Sequence, residues 1–478
     1  MTWQNPILWL LALTASGTLA APMSSTAESF RAGAATSNIT PWLGVSISGS
    51  MRDITATHIH DELHARCLVL DDGTSRLAFA IVDSCMVPRS AVDAAKEMAE
   101  ARTGIPTAHI LVSATHTHSA ACATPIFQSD PDPAYVAFLS GRIADGITRA
   151  YNQREAARIG WGSAQLPEEV FNRRWHITDA LTPPNPFGTG SDRVWMNPPR
   201  GSEHLVEPAG PVDPEIAFLS ATATDGRPLS LLANYGLHYV GGTGAGHVSA
   251  DYFAVFADAL GHRIDTHGQR PPFVAMMSNG ASGDVNNIDF RAPAESRPAY
   301  VQMTRVGERA ADRVHGAWAE VVHHDWASLS GIVEEITLGV RKPSAEEVAA
   351  AEARLAAHGD APLTALEDIY ARETVLLAEY PDEQSVPLQV LRIGALAVVG
   401  IPCEVFAEIG LAIKQESPFA QTFVISLANG YYGYLPTARH HELGGYETWR
   451  ARSSYLETGA AERITATVRR MLDELDAR

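Results

Sequence analysis

Ala65-Arg-Cys-Leu-Val-Leu70, the turn Asp71-Asp-Gly-Thr-Ser75 and then Leu77-Ala-Phe-Ala-Ile-Val82 form the stretch whose reading decides the fold. Two apolar runs of strand length flank a turn rich in Asp and Gly, so they read as a strand pair. Asp83 closes the second strand. A helical stretch near 89–103 follows, and His109–Ala114 reads as a third strand that opens into a His-rich loop. The same order recurs twice. Ile216–Ala221 and Leu229–Asn234 flank Asp225-Gly-Arg-Pro; His238, a helix near 252–265 and the strand Pro272–Met277 follow, opening into Asn279-Gly-Ala-Ser-Gly-Asp-Val-Asn-Asn287. Leu388–Ile393 and Ala395–Val399 flank Gly394; Glu404, a helix to about 415 and Thr422–Leu427 follow, opening into Asn429-Gly-Tyr-Tyr-Gly-Tyr434. Three such units predict an α/β protein whose mixed β-sheet core is built from repeated strand-strand-helix-strand units, flanked by helices. Each unit carries polar residues to one sheet edge, where α/β folds place their sites.

The first unit ends in Ser113-Ala-Thr-His-Thr-His-Ser119. Side chains at i and i+2 of an extended segment share a face, so His116 and His118 are expected to enter one pocket. Two imidazoles at a strand end suggest a metal-dependent active site, since His is the commonest protein ligand for a transition metal.

The formal net charge of −19 leaves no basic excess to neutralise phosphates, which excludes nucleic acid as a partner and disfavours anionic membranes. Ile7-Leu-Trp-Leu-Leu-Ala-Leu-Thr14 followed by small residues reads as an export signal over 1–21. The mature chain, 22–478, is then expected to be periplasmic or secreted, without stable membrane insertion. Cys67, Cys85, Cys122 and Cys403 stand in apolar or small-residue settings and read as buried, inert thiols. Residues 178–214, rich in Pro and Gly, read as a structureless loop that serves as a rim or lid. Residues 343–380, starting at the capping box Ser344 and Glu347, read as an inserted, solvated helical hairpin. Ile464, Val468, Met471, Leu472 and Leu475 recur at helical spacing and predict a docked C-terminal helix.

The ordered set Thr115-His-Thr-His-Ser119, Phe171-Asn-Arg-Arg174, Asn234-Tyr-Gly-Leu-His238, Ser282-Gly-Asp-Val285, Ile401-Pro-Cys-Glu404 and Gly444-Gly-Tyr-Glu447 resembles the catalytic N-terminal domain of neutral (non-lysosomal) ceramidases. The likeness runs from Ala34-Ala-Thr-Ser-Asn-Ile-Thr-Pro41 to about Glu447. These are zinc amidases that cleave the N-acyl bond of ceramide. The resemblance implies one zinc ion (Zn2+) held by His116, His238, Glu404 and Tyr446. It further implies a proton-carrying or hydrogen-bonding role for His118, an orienting role for Arg173 and an oxyanion-donor role for Tyr434. Asp284 is expected to support its loop.

The sequence departs from the pattern at two points. Asn286 stands where the family has a catalytic serine, and an amide cannot act as that nucleophile; Ser282 lies on the other side of Gly283. The β-sandwich domain that follows the catalytic domain in the family is not expected here. The leading expectation is a hydrolase that cleaves an amide or ester of a small-molecule or lipid-like substrate with zinc-activated water, Asn286 positioning substrate. An enzyme of the same scaffold that hydrolyses or eliminates on a carbohydrate or other soluble substrate is the alternative. A non-catalytic protein retaining the metal cradle is the third reading.

Overall fold

Leu68, Leu70, Phe79 and Ile81 pack into one apolar cluster, while Cys67, Val69, Ala80 and Val82 pack into another on the opposite face. Strands covered on both faces read as unbroken apolar runs, which is why this stretch shows no alternation. The computed structural model describes residues 1–3, 29–188, 190–359 and 361–478. The expected export signal lies, apart from residues 1–3, outside the described residues.

The central sheet holds eight strands: β1 (Arg31–Asn38), β2 (His64–Asp71), β3 (Arg76–Val82), β4 (Ile110–Ala114), β5 (Glu155–Gln165), β6 (Glu215–Ala223), β7 (Pro228–Tyr235) and β8 (Val274–Asn279). Their order is β8-β7-β6-β5-β1-β2-β3-β4. A second sheet of β9 (Leu329–Gly339), β10 (Glu383–Ile393), β11 (Leu396–Gly400) and β12 (Gln421–Ile425) runs in chain order. The three expected units are all present. In each, two antiparallel strands (β2–β3, β6–β7, β10–β11) are followed by a helix and a parallel third strand (β4, β8, β12). The crossover helices are α1 (Arg89–Thr103), α3 (Asp251–Arg263) and α7 (Ala407–Glu416), with α2 (Pro133–Asn152) and α4 (Val301–Trp318) beside the first two.

Four layers result. Leu111, Leu219 and Met276 of the eight-stranded sheet meet Leu391, Val398 and Phe423 of the four-stranded sheet in a shared core. α1 and α2 cover the outer face of β2–β4, and α3 and α4 cover β6–β8. The last helix, α8 (Ala460–Asp476), buries Ile464, Val468, Met471, Leu472 and Leu475 against the outer face of the four-stranded sheet, as its spacing predicts. All four cysteines are free and buried.

Two expectations need correction. The 178–214 segment is not structureless: Val194–Met196 and Leu205–Pro208 pair with Arg174–Ile177 in a small antiparallel sheet. Strands of three or four residues are too short to show a period. The helical insertion is solvated on one helix only. α5 (Ala345–His358) has the expected capping box and buries only Ala351, but α6 (Leu366–Ala378) buries Ile369, Tyr370, Glu373 and Leu377. The Glu373 carboxylate accepts two hydrogen bonds from the Arg452 guanidinium, at 2.9 and 2.7 Å, and Arg452 Nη2 also donates to the Phe127 carbonyl at 2.8 Å. A buried ion pair of this kind fixes position more than it adds stability, and here it ties α6 to the rim of the cavity described next.

Candidate metal centre and active site

The loops that leave β4, β8 and β12 are stitched together. Asn429 N–H donates to the Val112 carbonyl at 2.7 Å, Ser426 N–H to Asn279 at 3.0 Å and Gly283 N–H to Val405 at 2.7 Å. All three units therefore deliver their strand-end residues to one place, the carboxyl edge where open α/β sheets bind ligands.

Three buried side chains converge there from three different units. His116 Nε2 lies 3.0 Å from His238 Nε2 and 3.2 Å from Glu404 Oε2, and the His238–Glu404 pair spans 3.6 Å. Neutral donors with no proton between them would repel at such spacing. A tetrahedral centre with bonds of about 2.0–2.1 Å sets its ligand atoms about 3.3 Å apart, so the three donors fit one zinc ion. Their surroundings are prepared for it. The other ring nitrogens face carbonyls, His116 Nδ1 that of Cys85 at 2.9 Å and His238 Nδ1 that of Ser282 at 3.0 Å. This is the outer-shell pattern that orients metal-ligating imidazoles. Tyr431 donates to Glu404 Oε1 at 2.9 Å, while Oε2 is buried without a hydrogen-bond partner. An orphaned buried carboxylate oxygen beside two imidazole nitrogens calls for a cation. Tyr446 faces the same cavity, its ring 5.7 Å from that of Tyr434.

Charge within the cluster follows the same logic. Burial opposes a charge on His116, but the Glu404 carboxylate, aided by Cys85, outweighs it and holds the imidazole up to about 10. Burial, with Arg173 and His116 nearby, pushes His238 down, and burial with His116 pushes His118 down. Without metal, one proton on His116 serves as the cation; it stabilises the metal-free fold below the ordinary imidazole value of 6.5, and that contribution is lost as pH rises through about 10. Zinc uptake near pH 7 is therefore expected to release at least one proton from this site, measurable by calorimetry in buffers of differing ionisation enthalpy. Uptake with no proton released would contradict this account.

His118 Nε2 stands 3.2 Å from His116 Nε2, so the two imidazoles meet as expected, but not on an extended backbone. His116 has φ +74, in the left-handed region that non-glycine residues rarely adopt. The second unit supplies Tyr239, which stacks on His118 at 3.6 Å. Gly49 backs the same ring so closely that a Cβ there would fall 2.4 Å from His118 Cβ.

Arg173 reaches the cavity from the small-sheet side. Its Nη2 donates to the Gly283 carbonyl at 2.8 Å and to the Tyr434 hydroxyl at 3.0 Å, and its Nε donates to Glu447 Oε1 at 2.8 Å. Glu447 also receives Arg174 Nη1 at 2.6 Å. Burial alone would raise the Glu447 carboxyl, but Arg174 and Arg173 outweigh it and hold it below its ordinary value. The Tyr434 hydroxyl accepts from Arg173, so its own proton is free for another acceptor. The cavity encloses about 300 Å³, with Met51, Phe127, Met196 and Asn197 completing its wall. A larger cavity of about 730 Å³, at the helical insertion, holds none of the converging ligands.

Two of the sequence candidates lie elsewhere. Ser282 is 1% exposed, sits behind His238 and donates to Asn279 Oδ1 at 2.8 Å; it does not line the cavity. Asn286 also stays outside the lining, donating to Asn197 Oδ1 at 2.7 Å. Asp284 accepts from Ala407 N at 2.8 Å and from Asn172 Nδ2 at 2.7 Å, tying its loop to the start of α7 and to the strand that carries Asn172. Ser282→Ala is expected to lower turnover by less than ~100-fold through slackened support of His238. Complete loss with metal retained would put Ser282 in the chemistry.

The fold is that of the neutral ceramidases. Neutral ceramidase from Pseudomonas aeruginosa superposes with a TM-score of 0.70 at 16% identity, covering 94% of this chain and 75% of that one. A ceramidase complexed with C2 superposes with a TM-score of 0.68 at 17% identity, covering 94% and 76%. No protein-family model matches the sequence.

Proposed function

We propose that the protein is a zinc-dependent hydrolase that cleaves an amide or ester bond, working outside the cytoplasm. The observation that carries this reading is the convergence of His116, His238 and Glu404 at 3.0–3.6 Å around an orphaned carboxylate oxygen. Tyr446 completes the ligand set. A bound zinc supplies a Lewis acid for a carbonyl and acidifies water towards neutrality.

The chain's own residues do the rest. Arg173 and Tyr434 form a fixed donor pair, and the free Tyr434 hydroxyl proton is aimed at the carbonyl oxygen as it gains charge. His118 is neutral at pH 7, because burial and His116 hold it down, so its Nε2 accepts the proton of the attacking water. The water oxygen bonds to the carbonyl carbon, the bond to the leaving nitrogen or oxygen breaks, and His118 returns the proton to that atom. Neither Ser282 nor Asn286 is needed for this sequence. Retention of Arg173, Tyr434 and His118 in one cavity favours an enzyme over a binding protein.

Purified, zinc-loaded protein incubated with N-acyl amides and matched esters tests the reading. Release of carboxylic acid and amine or alcohol, seen by mass spectrometry, is expected. Stoichiometric zinc with no cleavage of either class would overturn it.

A further inference from the structure

The reaction cavity does not end at Tyr446. Met51, Met196 and Tyr446 also line an adjoining space of about 180 Å³. Part of its remaining wall comes from the two segments to which the chemistry gave no task. Pro183, Pro184 and Trp195 belong to the 178–214 stretch, and Leu366 opens α6 of the helical insertion. Trp449 closes the far side, and its indole N–H is committed to Asp192 Oδ2 at 2.7 Å, so it offers carbon to the space.

We propose that this annex is the specificity subsite for a compact apolar substituent, of phenyl or short branched-alkyl size, on the substrate of the hydrolase reading above, on which the proposal rests. Size sets the class: an apolar cavity of roughly 150 Å³ admits benzene. Surroundings set the limit. Trp449 also borders the larger cavity, whose lining includes Arg341, Glu347, Arg354 and Glu367. A long alkyl chain that passes Trp449 meets charged groups it would desolvate without compensation. The annex thus rewards one ring or a short branch and penalises an extended chain.

Calorimetric titration of the full-length chain with acetamide, phenylacetamide and dodecanamide tests this without requiring turnover. Phenylacetamide is expected to bind at least ~10-fold tighter than acetamide, and dodecanamide no tighter than phenylacetamide. Leu366→Trp, which fills the annex, is expected to cut the phenylacetamide-to-acetamide affinity ratio at least ~5-fold; the length series on the unaltered protein stands if that variant fails to fold. Phenylacetamide binding no tighter than acetamide, or dodecanamide binding at least ~10-fold tighter than phenylacetamide, would overturn the proposal. Size preference in binding with no hydrolysis of any amide or ester would sink the hydrolase reading and leave the subsite. Hydrolysis with a flat size profile would sink the subsite alone.

Discussion

His116→Ala is expected to drop the zinc content from about one per chain to near zero, and turnover by at least ~1,000-fold. His116 is the hub of the cluster: its Nε2 lies within 3.2 Å of His238, His118 and Glu404. Removing it takes away the donor that joins His238 to Glu404 and leaves the ligand set incomplete. The Glu404 carboxylate also loses the imidazolium that faces it at 3.2 Å in the metal-free protein. Elemental analysis and a turnover assay on the same preparation decide the matter. Zinc retained at full stoichiometry in His116→Ala would remove His116 from the ligand set. His118→Ala provides the contrast, with metal content expected to remain largely intact.

Tyr434→Phe is expected to lower kcat by ~100- to 1,000-fold, the loss seen when one preorganised oxyanion donor is removed, while zinc content stays unchanged. The hydroxyl accepts from Arg173, so its own proton is free for the substrate oxygen in the proposed reaction. Tyr434 is a cleaner probe than Arg173 itself. Arg173 and Arg174 share the buried Glu447, and deleting one partner of such a cluster strands a charge at a cost of about 3–5 kcal/mol. A fall in activity confined to KM would instead assign Tyr434 to ground-state binding.

The three strand-strand-helix-strand units were legible because their strands are apolar, bounded by Asp- and Gly-bearing turns and separated by helix-length stretches. The edge to which they deliver His116, His238 and Glu404 followed from topology. The pairing of His116 with His118 was expected on an extended segment, yet it arises from a left-handed residue at His116. Local periodicity gave a correct neighbour by an incorrect path. Tyr431 and Tyr239 were not legible as site residues, because what matters is their contact with Glu404 and His118 across units. Tyr431 stood in a conspicuous Tyr- and Gly-rich run, but no spacing rule tells which of three tyrosines meets the carboxylate. Motif position did not separate cavity lining from its support at Ser282 and Asn286. In the loop after β8, Ser282 packs behind His238 and Asn286 holds Asn197 of the cavity wall, while Gly283 packs against the Glu404 backbone, where a Cβ would fall 2.4 Å from its carbonyl oxygen. The burial of α6 was hidden because its partners, Arg452 and Phe127, are remote in sequence.

Anomalous diffraction across the zinc absorption edge, on crystals of zinc-loaded protein, decides whether His116, His238 and Glu404 hold the metal. One peak is expected about 2.0–2.2 Å from His116 Nε2, His238 Nε2 and a Glu404 oxygen, with the Tyr446 oxygen as the further protein ligand. A peak seated on other side chains, or no peak where these three converge, would contradict it.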